Sequence, residues 1–320
     1  MLLRRFYEDK LAQASYMVGC QDSGIALVVD PHRDAEVYLQ AATAEGMKIA
    51  YVSETHIHAD YLSGALQLAE NAAATLLLSG EGSGGWNYTF NGGAQTQIMR
   101  SGDEIKMGKV GIEVLHTPGH TPEHISLMIT DWATSPEPMG VLTGDFIFVG
   151  DVGRPDLLEK IAGVSNSMVD SARSLFASLS RFRQFPDHLQ ILPGHGAGSA
   201  CGKALGSVPS STLGYEKLAN WAFQCETEED FVNKVLEGQP ESPSYFKQMK
   251  QMNRDGPPIL DGLPLPQSLE PKILHDVLLS DNAVIVDIRD AVSFGAGHVP
   301  GTISIPLSKS FSTWCGWLLP

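Results

Sequence analysis

Histidine and acidic side chains recur in four short polar clusters within the N-terminal two thirds of the chain. Imidazole nitrogens and carboxylate oxygens are ligands that iron, zinc and manganese accept in proteins. A single histidine is more often a surface or core residue, whereas four clusters flanked by glycine or threonine indicate one shared metal centre. The clusters are 55–60 (Thr-His-Ile-His-Ala-Asp), 117–121 (Thr-Pro-Gly-His-Thr), 143–145 (Thr-Gly-Asp) and 192–196 (Leu-Pro-Gly-His-Gly).

The spacing inside the clusters favours convergence of their side chains. His56 and His58 are two residues apart, so both leave the same face of an extended segment. Gly119 and Gly194 have no Cβ atom, which lets the backbone pass close to a metal or a substrate.

Alternating short strands and helices must hold these clusters in place. A compact apolar run at residues 25–30, stopped by Pro31, is typical of a buried strand. Further strands are predicted at 48–53, 74–78, 140–144 and 190–193, helices at 35–44, 62–73 and 166–182, and a β-meander at 97–100, 105–107 and 111–115. Since the clusters fall at strand ends, we expect loops on a rigid sheet to carry the site.

The composition is that of a globular protein. The chain has 320 residues, of which 43% are apolar and 18% charged, enough to bury a sizeable core. Its net charge of −15, without a Lys/Arg block, argues against nucleic acid or an anionic membrane as a partner. No stretch approaches the ~20 apolar residues of a membrane span.

Cysteine usage and the N-terminal sequence predict a cytoplasmic protein. Cys20, Cys201, Cys225 and Cys315 form no CxxC pair, which argues against a disulfide framework and against a cysteine-based zinc site. The first residues, MLLRRFYE, lack the apolar run of a signal peptide.

A composition shift after Leu236 divides the chain. Residues 238–244 and 256–266 are rich in proline and glycine, as is typical of a connector. Beyond them, residues 269–279 have helical spacing and residues 283–288 are strand-like. We predict a catalytic domain over 1–236, a connector over 237–268 and a partial second domain over 269–320.

The ordered motifs HxHxD, TPGHT, TGD and PGHG resemble those of the metallo-β-lactamase superfamily over residues 1–236. This resemblance implies an α/β (α+β) fold class, with an αββα sandwich that holds its metals at the sheet edges. Hydrolytic members usually carry HxHxDH and two metals, whereas Tyr61 follows Asp60 here. A phenol with a pKa of about 10 stays protonated and replaces that imidazole poorly, which argues against a second metal.

The chain resembles most the persulfide dioxygenase family, which is related to glyoxalase II and uses one Fe(II). Residues 148–156, 199–203 and 211–217 extend this resemblance. It implies three iron ligands, the two-histidine-one-carboxylate triad of non-haem iron oxygenases, with positions left open for substrate and dioxygen. Zinc is the alternative, because these ligand types alone do not select iron. The implied ligands are His56, His120 and Asp145.

The resemblance also implies a catalytic set around the metal, made of His58, Asp60, Tyr61 and His195. The two histidines and the aspartate of this set would orient ligands and waters through hydrogen bonds. Asp60 has a second interpretation as the N-cap of the helix predicted at 62–73.

A persulfide carrier such as glutathione is anionic, so cationic and hydroxyl side chains are expected to bind it. The candidates are Arg154, Lys203 and Tyr215, each with a solvated surface role as its alternative. Cys201 is a candidate sulfur acceptor, although a small buried hydrophobic role is favoured. Glutathione, coenzyme A, bacillithiol and simple hydropersulfides all remain open as carriers.

Residues 284–289 and the GHVPG sequence at 297–301 resemble the first half of a rhodanese domain. A whole domain of this kind needs roughly 100 residues and about fifty are present, so we expect it to be incomplete. The resemblance implies a structural role for His298 and gives no reason to assign the rhodanese active-site cysteine to Cys315.

The leading hypothesis is oxidation of a small-molecule thiol persulfide by dioxygen at Fe(II), which yields sulfite and thiol. One alternative is a zinc-dependent thioester hydrolase of the glyoxalase II type. A second is a non-enzymatic sulfur-carrier module with a degenerate metal site, against which the four intact clusters argue. The family resemblance further implies a homo-oligomer.

Overall fold

One sheet is formed by the N-terminal part of the computed structural model, which describes residues 1–82, 85–90, 95–157, 159, 167–260, 262–280 and 283–319. Its strands, in sheet order, are β1 (Leu2–Glu8), β2 (Gln13–Cys20), β3 (Ile25–Val29), β4 (Lys48–Ser53), β5 (Thr75–Ser79) and β6 (Thr96–Met99). Strands β1 to β3 pair antiparallel and strands β3 to β6 pair parallel. Every residue of β2 is buried, since both faces of this sheet are covered.

Helices on the outer face join the parallel strands. Helix α1 (Glu36–Ala44) connects β3 to β4, and helix α2 (Ala65–Ala72) connects β4 to β5. Tyr38, Leu66 and Leu68 pack there against apolar side chains of the sheet. The N-cap of α2 is Gly64, where a Cβ would lie 2.1 Å from the carbonyl oxygen of His32. The predicted capping role of Asp60 is therefore wrong.

The second sheet is built from β7 (Glu104–Met107), β8 (Val110–His116), β9 (Ile125–Asp131), β10 (Gly140–Gly144), β11 (Gln190–Pro193) and β12 (Ser211–Thr212). Its neighbours pair antiparallel except β10 and β11, which are parallel. The predicted meander is only partly right, because β7 pairs with β8 whereas β6 pairs with β5 of the other sheet. A turn at Gly102, with φ +90°, lies between β6 and β7.

Helices on the outer face of the second sheet are α3 (Ser167–Phe182), α4 (Leu213–Ala219), α5 (Trp221–Gln224) and α6 (Glu228–Leu236). Leu175, Leu179 and Phe182 recur at helical spacing along α3 and bury against Ile191 of the sheet. Residue 166, predicted to begin this helix, lies outside the described residues.

A core between the two sheets completes the layers. Val18 and Leu27 of the first sheet pack in one cluster with Val114, Leu127 and Leu142 of the second. The layers therefore run helix, sheet, sheet, helix, which confirms the predicted fold class. In the described part of the chain, no helix has the length and apolar character needed to cross a membrane.

The chain forms two compact units. The first comprises Met1–Ser242 and Phe246–Ile259, and so includes helix α7 (Phe246–Asp255). A segment predicted as connector therefore contributes a helix to the first unit, because Phe246, Lys250 and Asn253 are buried in it. The domain bounds drawn from the sequence stay a prediction.

The second unit comprises Pro243–Tyr245 and Leu260–Pro320. It contains a 3-10 turn (Pro271–Ile273), α8 (Leu274–Leu278), β13 (Val286–Asp287), α9 (Ala291–Ala296), β14 (Ile303–Ser304) and α10 (Phe311–Leu318). Strands β13 and β14 are parallel. The ring of His298 stacks on Phe294 at 3.9 Å, and its Nδ1 lies 3.0 Å from the carbonyl oxygen of Phe294. Both contacts are structural, as expected for His298.

Candidate metal centre

Three potential ligand atoms converge near the ends of β4, β8 and β10. His56 follows β4, His120 lies in the loop after β8, and Asp145 directly follows β10. The Nε2 atoms of His56 and His120 lie 3.9 and 3.6 Å from Oδ2 of Asp145. All three side chains are buried. The fold thus brings together the three predicted metal ligands.

Hydrogen bonds fix which nitrogen of each histidine is free. Thr55 Oγ1 donates to Asp30 Oδ2 at 2.9 Å, so it accepts from Nδ1 of His56, also at 2.9 Å. Nδ1 of His120 donates to the carbonyl oxygen of Arg154 at 3.0 Å. Burial lowers the pKa of both histidines, which favours the neutral form. Each therefore presents the lone pair of Nε2 to the space beside Asp145.

The carboxylate of Asp145 has one paired and one unpaired oxygen. Oδ1 accepts a hydrogen bond from Nδ1 of His195 at 2.7 Å, whereas the buried Oδ2 has no hydrogen-bond partner among the described residues. Burial opposes the negative charge, but His195, His56 and His120 hold the pKa of Asp145 well below its usual value. An ionised, unpaired oxygen between two imidazole nitrogens is suited to a cation.

The donor set fits a divalent metal ion. The three ligand atoms all lie within 4.8 Å of one another. Ligands bound at ~2.0–2.2 Å from one ion are separated by up to ~4 Å, so a small adjustment would complete coordination. Two imidazoles and a carboxylate match iron, zinc or manganese without choosing between them.

Asp30, which the sequence analysis missed, organises the loop after β4. Its Oδ1 accepts from the backbone N–H of Thr55 at 2.7 Å and lies 3.1 Å from Nε2 of His58. Burial lowers the pKa of His58, but the charge of Asp30 outweighs this and raises it to about 9. Nδ1 of His58 has no hydrogen-bond partner in the described structure. In the sequence, Asp30 is marked only as an acidic residue at the end of a predicted strand. Such residues are common on protein surfaces, so this position alone does not identify a functional residue.

Tyr61 lies buried beside His58, with 4.5 Å between the ring centroids. Its hydroxyl donates to the carbonyl oxygen of Asp30 at 3.3 Å and accepts from Nε2 of Gln13 at 3.4 Å. Burial, followed by the charge of Asp30, raises the pKa of Tyr61 well above its usual value. The phenol is thus neutral and its proton is directed at a backbone carbonyl.

A second group of potential ligands lies beside the first. Nε2 of His195 is 2.8 Å from Oδ2 of Asp60, and these two residues form a cluster with Cys201. Burial opposes a charge on His195, but Asp145 and Asp60 raise its pKa well above its usual value. Burial and then Asp60 raise the pKa of Cys201 well above its usual value, so its sulfur is a thiol. This matches the small buried role favoured for Cys201.

His124 is a further buried imidazole that sequence reasoning missed. Its Nε2 accepts the backbone N–H of Asp145 at 3.1 Å, and its Nδ1 lies 2.8 Å from Oγ1 of Thr117. The ring stacks on His56 at 5.0 Å with an interplanar angle of 25°. His124 therefore positions one ligand through its backbone and packs on another. The sequence feature that could have identified His124 is its spacing of four residues from His120.

Arg154, a predicted substrate residue, is held by contacts within the protein. Its fully buried guanidinium pairs with both oxygens of Asp156 at 2.7 and 2.8 Å. It also donates to the carbonyl oxygens of Ala200 and Pro240. Four of the five N–H donors of its guanidinium are thus used within the protein, and its contact with a substrate stays a prediction. These contacts fix the segment whose carbonyl holds His120.

The two other predicted substrate residues lie on exposed segments. Nζ of Lys203 donates to the carbonyl oxygen of Lys234 at 2.5 Å and lies 5.9 Å from the ring centroid of Trp221. Tyr215 is 60% exposed in the first turn of α4. Their contact with a substrate stays a prediction.

The sequence pattern described as the metallo-beta-lactamase superfamily matches residues 9–195. The mouse protein named persulfide dioxygenase ETHE1, mitochondrial, is 28% identical over 201 residues, which are 61% of this chain and 68% of that protein. The hydroxyacylglutathione hydrolase of Polaromonas sp. is 30% identical over 183 residues, which are 57% of this chain and 61% of that protein. A dioxygenase and a hydrolase are thus similar to this chain at comparable identity.

Two solved structures extend the comparison. The metallo-beta-lactamase from Staphylococcus aureus subsp. aureus COL shares 42% identity at a TM-score of 0.91, covering 100% of this chain and 89% of that one. ETHE1 from Myxococcus xanthus shares 25% identity at a TM-score of 0.64, covering 79% of this chain and 98% of that one. The sandwich, the ordered motifs and the buried ligand cluster agree with these matches, and the chain belongs to the metallo-β-lactamase superfamily.

Proposed function

We propose that this protein oxidises the terminal sulfur of a low-molecular-weight thiol persulfide with dioxygen, using one Fe(II) held by His56, His120 and Asp145. The two-histidine-one-carboxylate donor set is that of non-haem iron oxygenases. The similarity to proteins named ETHE1 from mouse and Myxococcus xanthus supports the same reaction. Zinc in the same ligands is the alternative cofactor.

The observation that carries this proposal is the placement of Tyr61. Hydrolytic members of the superfamily use an imidazole after the HxHxD sequence to hold a second metal. The phenol that stands here donates to the carbonyl oxygen of Asp30 and offers no ligand atom toward Asp60. The ligand cluster at Asp145 thus lacks the histidine partner of a second ion, which favours chemistry at one metal.

The surrounding residues hold and shield the ligands. An iron ion in this cluster would supply redox chemistry and bind both reactants. His195 fixes one oxygen of Asp145 and is itself held by Asp60, so the free oxygen keeps its direction. Burial of all three side chains excludes bulk water.

The overall reaction consumes persulfide, dioxygen and water and yields thiol, sulfite and protons. Electrons pass from the terminal sulfur to dioxygen, and the sulfur–sulfur bond breaks.

Oxygen uptake tests the proposal directly. Glutathione persulfide is added to protein loaded anaerobically with Fe(II), and a zinc-loaded sample serves as the control. We expect rapid uptake with sulfite formation in the iron form only. If glutathione persulfide gives no uptake, the persulfides of coenzyme A and bacillithiol are tried next. No uptake with any of them, together with thioester cleavage by the zinc form, rejects the dioxygenase.

A zinc-dependent thioester hydrolase is the second candidate, and the cluster of Asp60, His195 and Cys201 favours it. These side chains could hold a second ion beside Asp145 although the histidine of the usual motif is missing. This function requires hydroxide bound to zinc, which one ion or two could supply, and activity without oxygen. A Cys201→Ser variant that keeps one ion and loses hydrolysis would support it.

For residues 269–320 we propose the first part of a rhodanese-like domain, on the strength of the motifs at 284–289 and 297–301. Arg289 pairs with Asp287 at 2.5 Å and donates to the carbonyl oxygen of Gly297 at 2.9 Å, which links the two motifs. A domain that transfers sulfane sulfur beside a persulfide oxidase would join two steps of sulfide metabolism. Binding of a persulfide carrier to residues 269–320, followed by backbone NMR shifts, tests this assignment.

A further inference from the structure

Helix α7 buries polar residues against the first unit. It lies beyond residues 9–195, the region matched by the superfamily pattern, yet it belongs to the same compact unit. Its buried positions are Phe246, Lys250 and Asn253, which recur along one face of the helix. Apolar side chains are the usual choice on such a face. An amide and an amine placed there need specific partners to offset the cost of burial.

Asn253 finds those partners in the loop that carries the HxHxD motif. Its Nδ2 donates to the carbonyl oxygens of His58 and Tyr61, both at 2.8 Å. Its Oδ1 accepts the backbone N–H of Ser63 at 2.9 Å. One buried side chain thus satisfies three main-chain groups on both sides of Asp60. Without it, these groups would stay unpaired in the interior, which is unfavourable for buried polar groups.

Lys250 supports the same loop from one turn earlier in the helix. Its ammonium lies 3.5 Å from the ring centroid of Trp86 and interacts electrostatically with the buried carboxylate of Glu123. Oε1 of Glu123 accepts the backbone N–H of Ile57 at 2.8 Å. Ile57 stands between His56 and His58, so the helix reaches both halves of the motif.

The position of this loop determines the positions of the metal ligands. His56 is itself a ligand, and the loop at 56–63 also carries Asp60, whose Oδ2 lies 2.8 Å from Nε2 of His195. His195 in turn donates to Oδ1 of Asp145 at 2.7 Å. A shift of the loop would therefore move one ligand and loosen another.

We infer that helix α7 is a positioning element of the metal centre, with Asn253 as its main contact and Lys250 as a second. Neither residue touches the ligand atoms, so each acts through the loop at 56–63. This inference requires the metal centre but not the proposed reaction, because its effect is read from metal binding without turnover.

The test measures Zn(II) affinity by competition with a chelator, and the visible spectrum of the Co(II) form, on the full chain. Asn253→Ala and Lys250→Met are compared with Gln248→Ala, an exposed residue of the same helix. We expect Asn253→Ala to weaken Zn(II) binding by about 10–100-fold and to change the Co(II) spectrum. A smaller loss is expected for Lys250→Met, and none for Gln248→Ala.

Circular dichroism at the titration temperature separates positioning from unfolding. A folded Asn253→Ala protein with affinity within about twofold of the parent and an unchanged spectrum overturns the inference. If Asn253→Ala does not fold, Asn253→Ser replaces it, since a hydroxyl has one donor and cannot hold both carbonyl oxygens that the two amide protons reach. Parental affinity in folded Asn253→Ser and Lys250→Met would then overturn the inference equally. Failure of the oxygen-uptake experiment alone would leave it standing.

Discussion

Asp145 combines two functions on one carboxylate, since His195 holds Oδ1 and Oδ2 is free for a cation. We predict that Asp145→Asn abolishes iron retention. The amide removes the negative charge from the ligand cluster and weakens the pairing with His195. Metal content per chain after desalting gives the measurement. Retention should fall to less than about a tenth of the parent value.

The matched control is Asp170→Asn, which neutralises an exposed acid on α3 that pairs with Arg173. It should keep the parental metal content, because surface ion pairs contribute little to structure. Full iron and full activity in Asp145→Asn would show that the ligand assignment is wrong.

Because Lys250 is buried, we predict that the free energy of unfolding depends on pH. Burial lowers its pKa from 10.5 to about 8, although the charge of Glu123 opposes the shift. For a lysine whose folded-state pKa is depressed, the stability contribution is complete above the unfolded pKa and is lost as the pH falls through the folded value. The parent should therefore gain roughly 2–3 kcal/mol relative to Lys250→Met between pH 8 and 10.5. Urea unfolding at both pH values measures the difference.

Lys247→Met is the control for this experiment, because Lys247 is exposed on the same helix. It removes a lysine side chain from α7 without emptying a buried position, and so shows the effect of the substitution type itself. Groups that titrate in both proteins contribute equally to both free energies of unfolding. A Lys250→Met difference in this free energy that does not change between pH 8 and 10.5 would therefore contradict the assigned pKa.

At the residue scale, the sequence predicted the ligands better than their supports. His56, His120 and Asp145 stand in ordered motifs next to glycine or threonine, so their types and flanks identify them. Asp30 and Asn253 have no such flanks. Their partners are 25 and 195 residues away, and only the packed fold shows that they meet the loop of the first motif.

Helix α2 ends in an unfavourable backbone conformation, which gives a prediction at the scale of elements. Ala73 closes the helix with φ 49° and ψ 44°, in the left-handed region that glycine adopts without cost. We predict that Ala73→Gly stabilises the protein by about 0.5–1 kcal/mol. Thermal unfolding should show a higher midpoint. Ala72→Gly, one residue earlier inside the helix, should lower it by a similar amount. A lower midpoint for Ala73→Gly would show that the cap is not strained.

Element types followed well from periodicity, but sheet membership did not. The strand at residues 96–99 was expected to join β7 and β8, since the turn residues between them are typical of a hairpin. It pairs instead with β5, where Leu78 faces Ile98 in register. Local sequence defines a turn, whereas the choice of sheet depends on which apolar faces are left to cover.

At the scale of the whole molecule, the two units differ in what they hold. All ligands of the metal cluster, together with Asn253, belong to the first unit, which ends at Ile259. Residues 262–270 are exposed throughout and lack secondary structure. Exposed segments of this kind are the preferred sites of proteolysis. We therefore predict that subtilisin cuts first between residues 260 and 271, and that the large fragment keeps the metal.

Mass spectrometry of the digest locates the cut, and metal analysis of the purified fragment measures retention. The fragment should carry the parental amount of metal, because every residue argued to hold or position the ligands lies before residue 260. Its thermal midpoint in the presence of Zn(II) should rise relative to the metal-free fragment, since a ligand that binds only the folded state stabilises it. First cleavage inside the first unit would contradict the predicted cleavage site. A fragment that loses its metal would mean that the centre depends on residues beyond 260. In that case the positioning of the ligands could not be explained by helix α7 and the two sheets alone.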